Sequence, residues 1–530
     1  MTFVKKVTKN QLFLPLFSMV LVMLVNIIYD VANGNAVFNF FTISINNGIL
    51  YGRLIDILNR GSEAAILALG MTLVVSASAG TDISVGSVMS LAGGVCCVLL
   101  AGFGNVNVNE YSIPLWLGVL AGILVACLCG AFNGFLVAGL KIQPMVATLI
   151  LFSAGRAIGL LLCNSNIVYV NVESFKFFGG YCWIFPTPIL ITVLCIAVTA
   201  LVLKFTALGT YVQAVGINKE AARISGYKSA AIIFICYVVC GLFAGIAGIT
   251  ATSRFYSADT NNIGLNLEMD AILAVGVESW GLPAQLLIPL MLVIGVVFGI
   301  IQGYCVGYLG IQPFIVTMAG MFFARGMTAV ISTQQVSITS SSLMTQLSTM
   351  KFNMPFEIGA YLNKKGKLMV PNVSIYVIIA ILVLIATFLI LRYTRFGRSL
   401  YAVGGNQQSA ALMGLDVRRT RFSAHIFCSV LTSIGAICYV LNTMCGTTRQ
   451  ALGLEMDAIS SAVIGGTLLT GGVGNVFGSF FGVLINGTIS SLVKTNGKLS
   501  SSWPNVVTAL LLCFFIVLQA IFAKVKAKRG

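Results

Sequence analysis

The sequence predicts an all-α fold, a polytopic transmembrane helix bundle, and three observations lead there. Of 530 residues, 58% are hydrophobic and 9% charged, against roughly 25% charged in a typical soluble domain. Apolar stretches of about 18–25 residues recur along the whole chain, the length that crosses a hydrocarbon core of about 30 Å. A long internal repeat runs in one direction, so part of the bundle is built twice. Lipid is the expected solvent for most of this surface.

Hydropathy places crossings near 12–29, 62–79, 85–103, 114–138, 144–163, 185–204, 230–250, 284–309, 313–332, 373–391, 424–441, 475–494 and 504–523. Two shorter apolar pieces, 267–282 and 456–472, are ambiguous by hydropathy alone. The first stretch follows Lys5, Lys6 and Lys9 and has no small-x-small pattern before Asn33, so it reads as a retained helix rather than a signal peptide. Glycine at 55 positions suits close helix packing in a membrane. The net charge of +16 resides in short loops and tails, among them Lys524, Lys526, Lys528 and Arg529. That pattern marks cytoplasmic ends rather than a nucleic-acid surface. Both termini are therefore expected in the cytoplasm, and the number of crossings is even.

The repeat is explicit. Leu140-Lys-Ile-Gln-Pro-Met-Val-Ala-Thr148 matches Leu309-Gly-Ile-Gln-Pro-Phe-Ile-Val-Thr317, and Gly130, Gly134 and Arg156 recur in register as Gly299, Gly303 and Arg325. Ala214-Val-Gly-Ile-Asn218 returns as Ala402-Val-Gly-Gly-Asn406, and Leu267–Ile272 is identical to Leu454–Ile459. The second copy carries an insertion between about Gln334 and Pro371. Two motifs occur once: Gly80-Thr-Asp-Ile-Ser-Val-Gly86 near the start and Gly465-Gly-Thr-Leu-Leu-Thr-Gly-Gly-Val-Gly474 near the end. The layout is a head (1–113), a first repeat (114–282) with a basic loop at 204–228, a second repeat (283–462) with a basic loop at 392–421, and a tail (463–530). Placing both basic loops inside requires 267–282 to dip in and return while 456–472 crosses. About fourteen crossings result, with Trp280 near the outer face and Gly472 near the inner one.

Residues that carry chemistry are few. There is no Gly-x-x-x-x-Gly-Lys-Ser/Thr loop to cradle nucleotide phosphates, no Ser/His/Asp set, and His425 is the only histidine. Fourteen cysteines lie mostly in apolar runs without metal-ligand spacing and read as small packing residues. No catalytic residue, metal site or bound cofactor is expected. Acids within or beside spans stand out: Glu63, Asp82, Glu268, Asp270, Glu455 and Asp457. Carboxylates at membrane depth usually face a bundle interior or an aqueous cavity. For Asp82 with Ser84 and Gly86 two readings stand, a lining of the solute pathway and a carboxylate at a helix N-terminus. The same alternatives apply to Asp270 and Asp457, with outer-interface capping favoured there, and Gly465 and Gly466 join the pathway candidates. Each basic loop carries Gly-x-Asn-x-x-x-Ala-x-x-x-Gly: Gly216, Asn218, Ala222 and Gly226, then Gly404, Asn406, Ala410 and Gly414. An asparagine-capped short helix presented to the cytoplasm suits docking of a soluble partner; a plain basic connector is the competing reading.

These motifs resemble the monosaccharide ABC importer permeases of the ribose, xylose and galactose type. "GTDISVG" is similar to that family's head signature, and "LEMDAISSAVIGGTLLTGGVGN" to its tail signature. The loops at 216–226 and 404–414 resemble its coupling segment. Residues 35–275 look like one permease of a galactofuranose-type importer, and residues 283–530 look like its second, usually separate permease. The chain thus resembles an in-frame fusion joined near Val275–Pro283, lacking the first tail and the second head. The resemblance implies a bacterial inner-membrane protein that passes a neutral monosaccharide inward. It also implies a cytoplasmic ABC ATPase that hydrolyses the ATP, an extracytoplasmic sugar-binding protein, and leaves open a second permease copy. Two alternatives stand beside it: an ion-gradient-driven secondary sugar transporter, and a deletion fusion with impaired transport.

Overall fold

The computed structural model describes residues 13–32, 41–46, 49–260, 284–331, 336–338, 342–353, 361–362, 368–369, 372–446, 454–468, 471–496 and 503–529. The chain forms two compact units, one built on residues up to 264 and one on residues 265–496. Trp503–Arg529 forms a long terminal helix. Regular structure is almost wholly helical, as the composition predicts.

The helices of the first unit are α1 (Phe13–Ala32), α2 (Arg53–Ser78), α3 (Val85–Ala101), α4 (Leu115–Gly134), α5 (Pro144–Leu162), α6 (Thr187–Phe205), α7 (Ala207–Ile217), α8 (Lys219–Ile224) and α9 (Ser229–Phe255). Pro144 at the first position of α5 and Pro188 at the second of α6 stand in the opening turn, where a missing N–H costs nothing. The seam between α4 and α9 is made of small residues four apart. A Cβ on Gly134 would lie 3.1 Å from Phe234 O, and one on Gly245 would lie 3.0 Å from the Ala126 Cβ. Without a hydrophobic force between helices in lipid, such close backbone approach supplies the packing. Near one end Cys96, Cys97, Leu100, Cys163, Val170 and Phe175 form a buried core, roofed by the short strands Asn107–Val108, Val168–Val170 and Ser257–Ala258.

The second unit repeats this plan with α10 (Ala284–Gly307), α11 (Pro313–Ile331), α12 (Ile375–Tyr393), α13 (Arg395–Gly405), α14 (Gln407–Leu412) and α15 (Val417–Thr443). It adds α16 (Leu454–Ile464) and α17 (Val476–Asn496), and the terminal helix Trp503–Arg529 follows as α18. Gly299, Gly303 and Gly307 of α10 face Ser429, Phe422 and Arg418 of α15, the counterpart of the α4–α9 seam.

Among the described residues eight helices are long and apolar enough to cross a membrane: α2, α4 with its π-helical extension to Gly139, α5, α6, α9, the Ile288–Gly307 part of α10, α12 and α15. Helix α3 and the apolar parts of α17 and α18 are shorter. One expected span is corrected. The 456–472 segment is not a continuous crossing helix: α16 has 11 residues, about 16 Å at 1.5 Å per residue, half a hydrocarbon core. Beyond Ile464 the backbone turns on hydrogen bonds from Gly466 N to Val463 O and from Thr467 N to Ala462 O. Gly465 then packs on Gly478, and Gly482 on Ser461, so α16 and α17 form an antiparallel hairpin. Consecutive glycines break the helix there and permit the contact. The expected dip at 267–282, with Glu268, Asp270, Glu278 and Trp280, lies outside the described residues.

Candidate functional site

The two basic segments fold alike. Thr206 caps α7, accepting from Leu208 N at 3.3 Å, and Thr394 caps α13, accepting from Gly397 N at 3.3 Å. Asn218 Oδ1 accepts from Glu220 N and Ala221 N at 3.0 Å each, and Asn406 Oδ1 accepts from Ser409 N at 2.9 Å. The asparagines thus start α8 and α14, as their place in the sequence predicts. Ala222 and Ala410 are the buried residues of these helices. Gly226 and Gly414 close them with φ of +87° and +80°, the left-handed stop that favours glycine. The outer face of each short helix ends in a bare aliphatic side chain: Ile224 is 84% exposed and Leu412 90%. Neither the leading helices α7 and α13 nor these apolar tips are evident in the loops' charge pattern.

Gly216 and Gly404 do something different from their neighbours. Each presses its bare Cα against another backbone: Gly216 against the Ser76 carbonyl at the end of α2, and Gly404 against Gly472, whose N would lie 2.8 Å from an added Cβ. The basic segments are therefore seated on the stretches next to the head motif in one unit and within the tail motif in the other.

The head motif is buried and tightly bonded. Asp82 is 3% exposed; its Oδ1 accepts from Ser84 N at 2.9 Å and Ser84 Oγ at 2.7 Å. Asn133 of α4 donates to Ser84 Oγ at 2.8 Å. Ile83 N donates to Thr148 Oγ1 at 3.1 Å, and Gly80 packs on Pro144, so the head motif sits in the Ile142-Gln-Pro repeat sequence. Gly86 is in the first turn of α3, half-buried. Asp82 lies two residues ahead of the Ser84 cap and holds the entering turn.

Two ion pairs use acids flagged in the sequence. Glu63 Oε1 meets Arg254 at 3.1 Å, and Arg254 also donates to the Asn59 side-chain carbonyl at 3.1 Å. Glu455 meets Arg325 at 3.2 Å, tying the first turn of α16 to α11. Asp457 shares that turn. Arg254 escaped notice as a partner because its only sequence signal is a basic residue at a span end. Among the described residues no cluster of three His, Cys, Asp or Glu side chains is placed to hold a metal.

A branched-chain amino acid transport system permease component matches residues 53–281 and again residues 277–516. The chain belongs to this permease family. It carries the permease domain twice in tandem, the copies meeting at 277–281, where the sequence itself suggests a join. The galactofuranose transporter permease protein YtfT of Escherichia coli is 42% identical over 51% of this chain and 76% of that protein. The inner membrane ABC transporter permease protein YjfF of the same organism is 35% identical over 53% and 83%. The fructose import permease protein FruG of Bifidobacterium longum is 33% identical over 49% and 73%. No solved structure matches. This double permease is thus similar to sugar permeases, although the family's description speaks of amino acids.

Proposed function

We propose that the chain is the membrane-spanning permease of an ABC importer that carries a monosaccharide, galactofuranose-like, into the cell, with ATP hydrolysed by a separate cytoplasmic subunit. The observation that carries this reading is the duplicated two-helix module, capped alike in both units and tipped by exposed Ile224 and Leu412. An exposed aliphatic residue on an otherwise polar short helix suits insertion into an apolar notch of a soluble partner. Two such modules in one chain suit two ATPase subunits. Basic residues around them, Lys219, Arg223 and Lys228 in one and Arg395, Arg398 and Arg418 in the other, favour the cytoplasmic side. Delivery by an extracytoplasmic sugar-binding protein and cytoplasmic termini complete the proposal.

The test is co-purification with the ATPase encoded beside such permeases, followed by uptake of labelled galactofuranose, ribose and fructose into proteoliposomes. Ile224→Asp with Leu412→Asp is expected to lose the ATPase while the chain still extracts as a folded species. Retention of the ATPase by the double variant overturns the docking surface, and uptake of an amino acid in place of a sugar overturns the substrate class.

A further inference from the structure

The seats of the two basic segments point beyond docking to what the segments move. The same repeat position, Gly216 in one unit and Gly404 in the other, is the point of closest approach, yet the two seats differ. In the first unit the seat is the Ser76 carbonyl, at the end of the helix that runs into the head motif. In the second it is the tail motif itself. There Gly404 and Gly405 lie on Gly471 and Gly472: a Cβ on Gly471 would come within 2.5 Å of Gly404 O, and one on Gly472 within 2.6 Å of Gly405 Cα. Gly472 has a φ of +79°, so a side chain there is strained as well as crowded. Tyr401, one turn earlier on α13, donates its hydroxyl to Gly474 O at 3.2 Å. Its repeat counterpart is Gln213, so this latch belongs to the second unit alone.

The far end of the seated segment is held too. From Gly472 the chain leads back through the hairpin turn to α16, whose first turn is fixed by the Arg325–Glu455 pair, while Asn486 of α17 donates to Ser461 Oγ at 2.8 Å. Backbone lying on backbone, with no side chain between, cannot absorb a displacement by rotamer change as ordinary packing does. A push on α13 therefore reaches the half-length helix directly.

We infer that the Gly404–Gly405/Gly471–Gly472 contact, latched by Tyr401, is a rigid joint that carries motion of the second basic segment to the tail motif and α16. Tyr401 and Gly472 are thereby positioning residues for coupling. The inference rests on the docking reading for the source of the motion, but the rigidity of the joint stands apart from it.

The experiment uses the full-length chain with nitroxides at Gln408→Cys and Val473→Cys on a background free of other cysteines. A single narrow distance is expected, unchanged when the ATPase complex is trapped with ATP and vanadate, and Gly472→Ala is expected to broaden it. In proteoliposomes sugar imported per ATP is expected to fall about fivefold in Tyr401→Phe, the worth of one hydrogen bond, and about tenfold in Gly472→Ala, where strain adds. ATPase co-purification stays at the wild-type level in both. Tyr401→Phe preserves the ring and guards against a Gly472→Ala variant that fails to fold. A broad or nucleotide-dependent distance in the unsubstituted joint overturns the inference, as does normal coupling in both variants. Absence of any ATPase on the wild-type chain overturns the docking reading instead, and the nitroxide distance still decides the joint.

Discussion

Asp82 shows how much one side chain's bonds add to its place in a sequence. A carboxylate in a Gly/Ser-rich break between spans suits a solute pathway or a helix start, and the residues alone do not choose. In the structure its Oδ1 is engaged by Ser84 N and Oγ, bonds that an asparagine carbonyl also accepts. Asp82→Asn is thus expected to keep the melting midpoint near wild type, whereas Asp82→Ala leaves the turn's donors unpaired and costs about 1–3 kcal/mol. A thermal-shift series in detergent checks this, and an Asp82→Asn chain as unstable as Asp82→Ala would show that the charge itself is required. The Glu63–Arg254 pair answers to the same logic with a larger stake. Both side chains are largely buried, so Arg254→Ala strands a carboxylate and is expected to cost roughly 3 kcal/mol. Adding Glu63→Gln to that variant is expected to recover part of the loss in the same assay. Both acids were legible as unusual residues, and Ser84 as the neighbour of Asp82; Arg254, far from Glu63 in sequence, was not legible as its partner.

At the scale of elements, helix starts were legible because caps and prolines are local chemistry: Asn218, Asn406, Pro144 and Pro313 all begin helices. The length of α16 was not, because hydropathy cannot tell a helix from an apolar, glycine-rich turn, and the contacts that stabilise the turn come from Gly478 and Gly482. The repeat also conceals a difference in surroundings. On α9, Tyr237, Cys240, Ala244 and Ala247 are buried, with Cys240 against Gly70 of α2. Their counterparts on α15 are His425, Cys428, Thr432 and Gly435. Cys428 and Gly435 are exposed, in a repeat that has no head helices of its own. Similar sequence thus meets different neighbours. N-ethylmaleimide in detergent is expected to modify Cys428 in the folded chain and Cys240 only on unfolding, with peptide mass spectrometry reading each site. Equal early labelling of both would mean that α2 does not cover α9.

For the whole molecule, charge and counting made the strongest claim: the 456–472 segment, between α15 and the last two helices, must cross. The structure alters the form of that crossing without removing the need for it. Helix α16 covers about half the hydrocarbon thickness, and the irregular stretch beyond it ends on Gly404 and Gly405 of the basic segment. Non-helical backbone at membrane depth is tolerated where protein surrounds it, and the packing of Gly465 on Gly478 provides that cover. If the basic segments are cytoplasmic, Val473 lies on the inner side and Leu454, at the other end of α16, on the outer. Both residues are exposed enough to probe, at 57% and 44%. On a cysteine-free background, an impermeant thiol reagent is expected to reach Leu454→Cys from outside in intact cells. Val473→Cys is expected to react only in inverted vesicles, together with Gln408→Cys on the basic segment. Labelling of 454 and 473 from one side would make α16 and its turn a re-entrant hairpin. The number of crossings would then be odd, and one of the chain's two basic ends would have to lie outside.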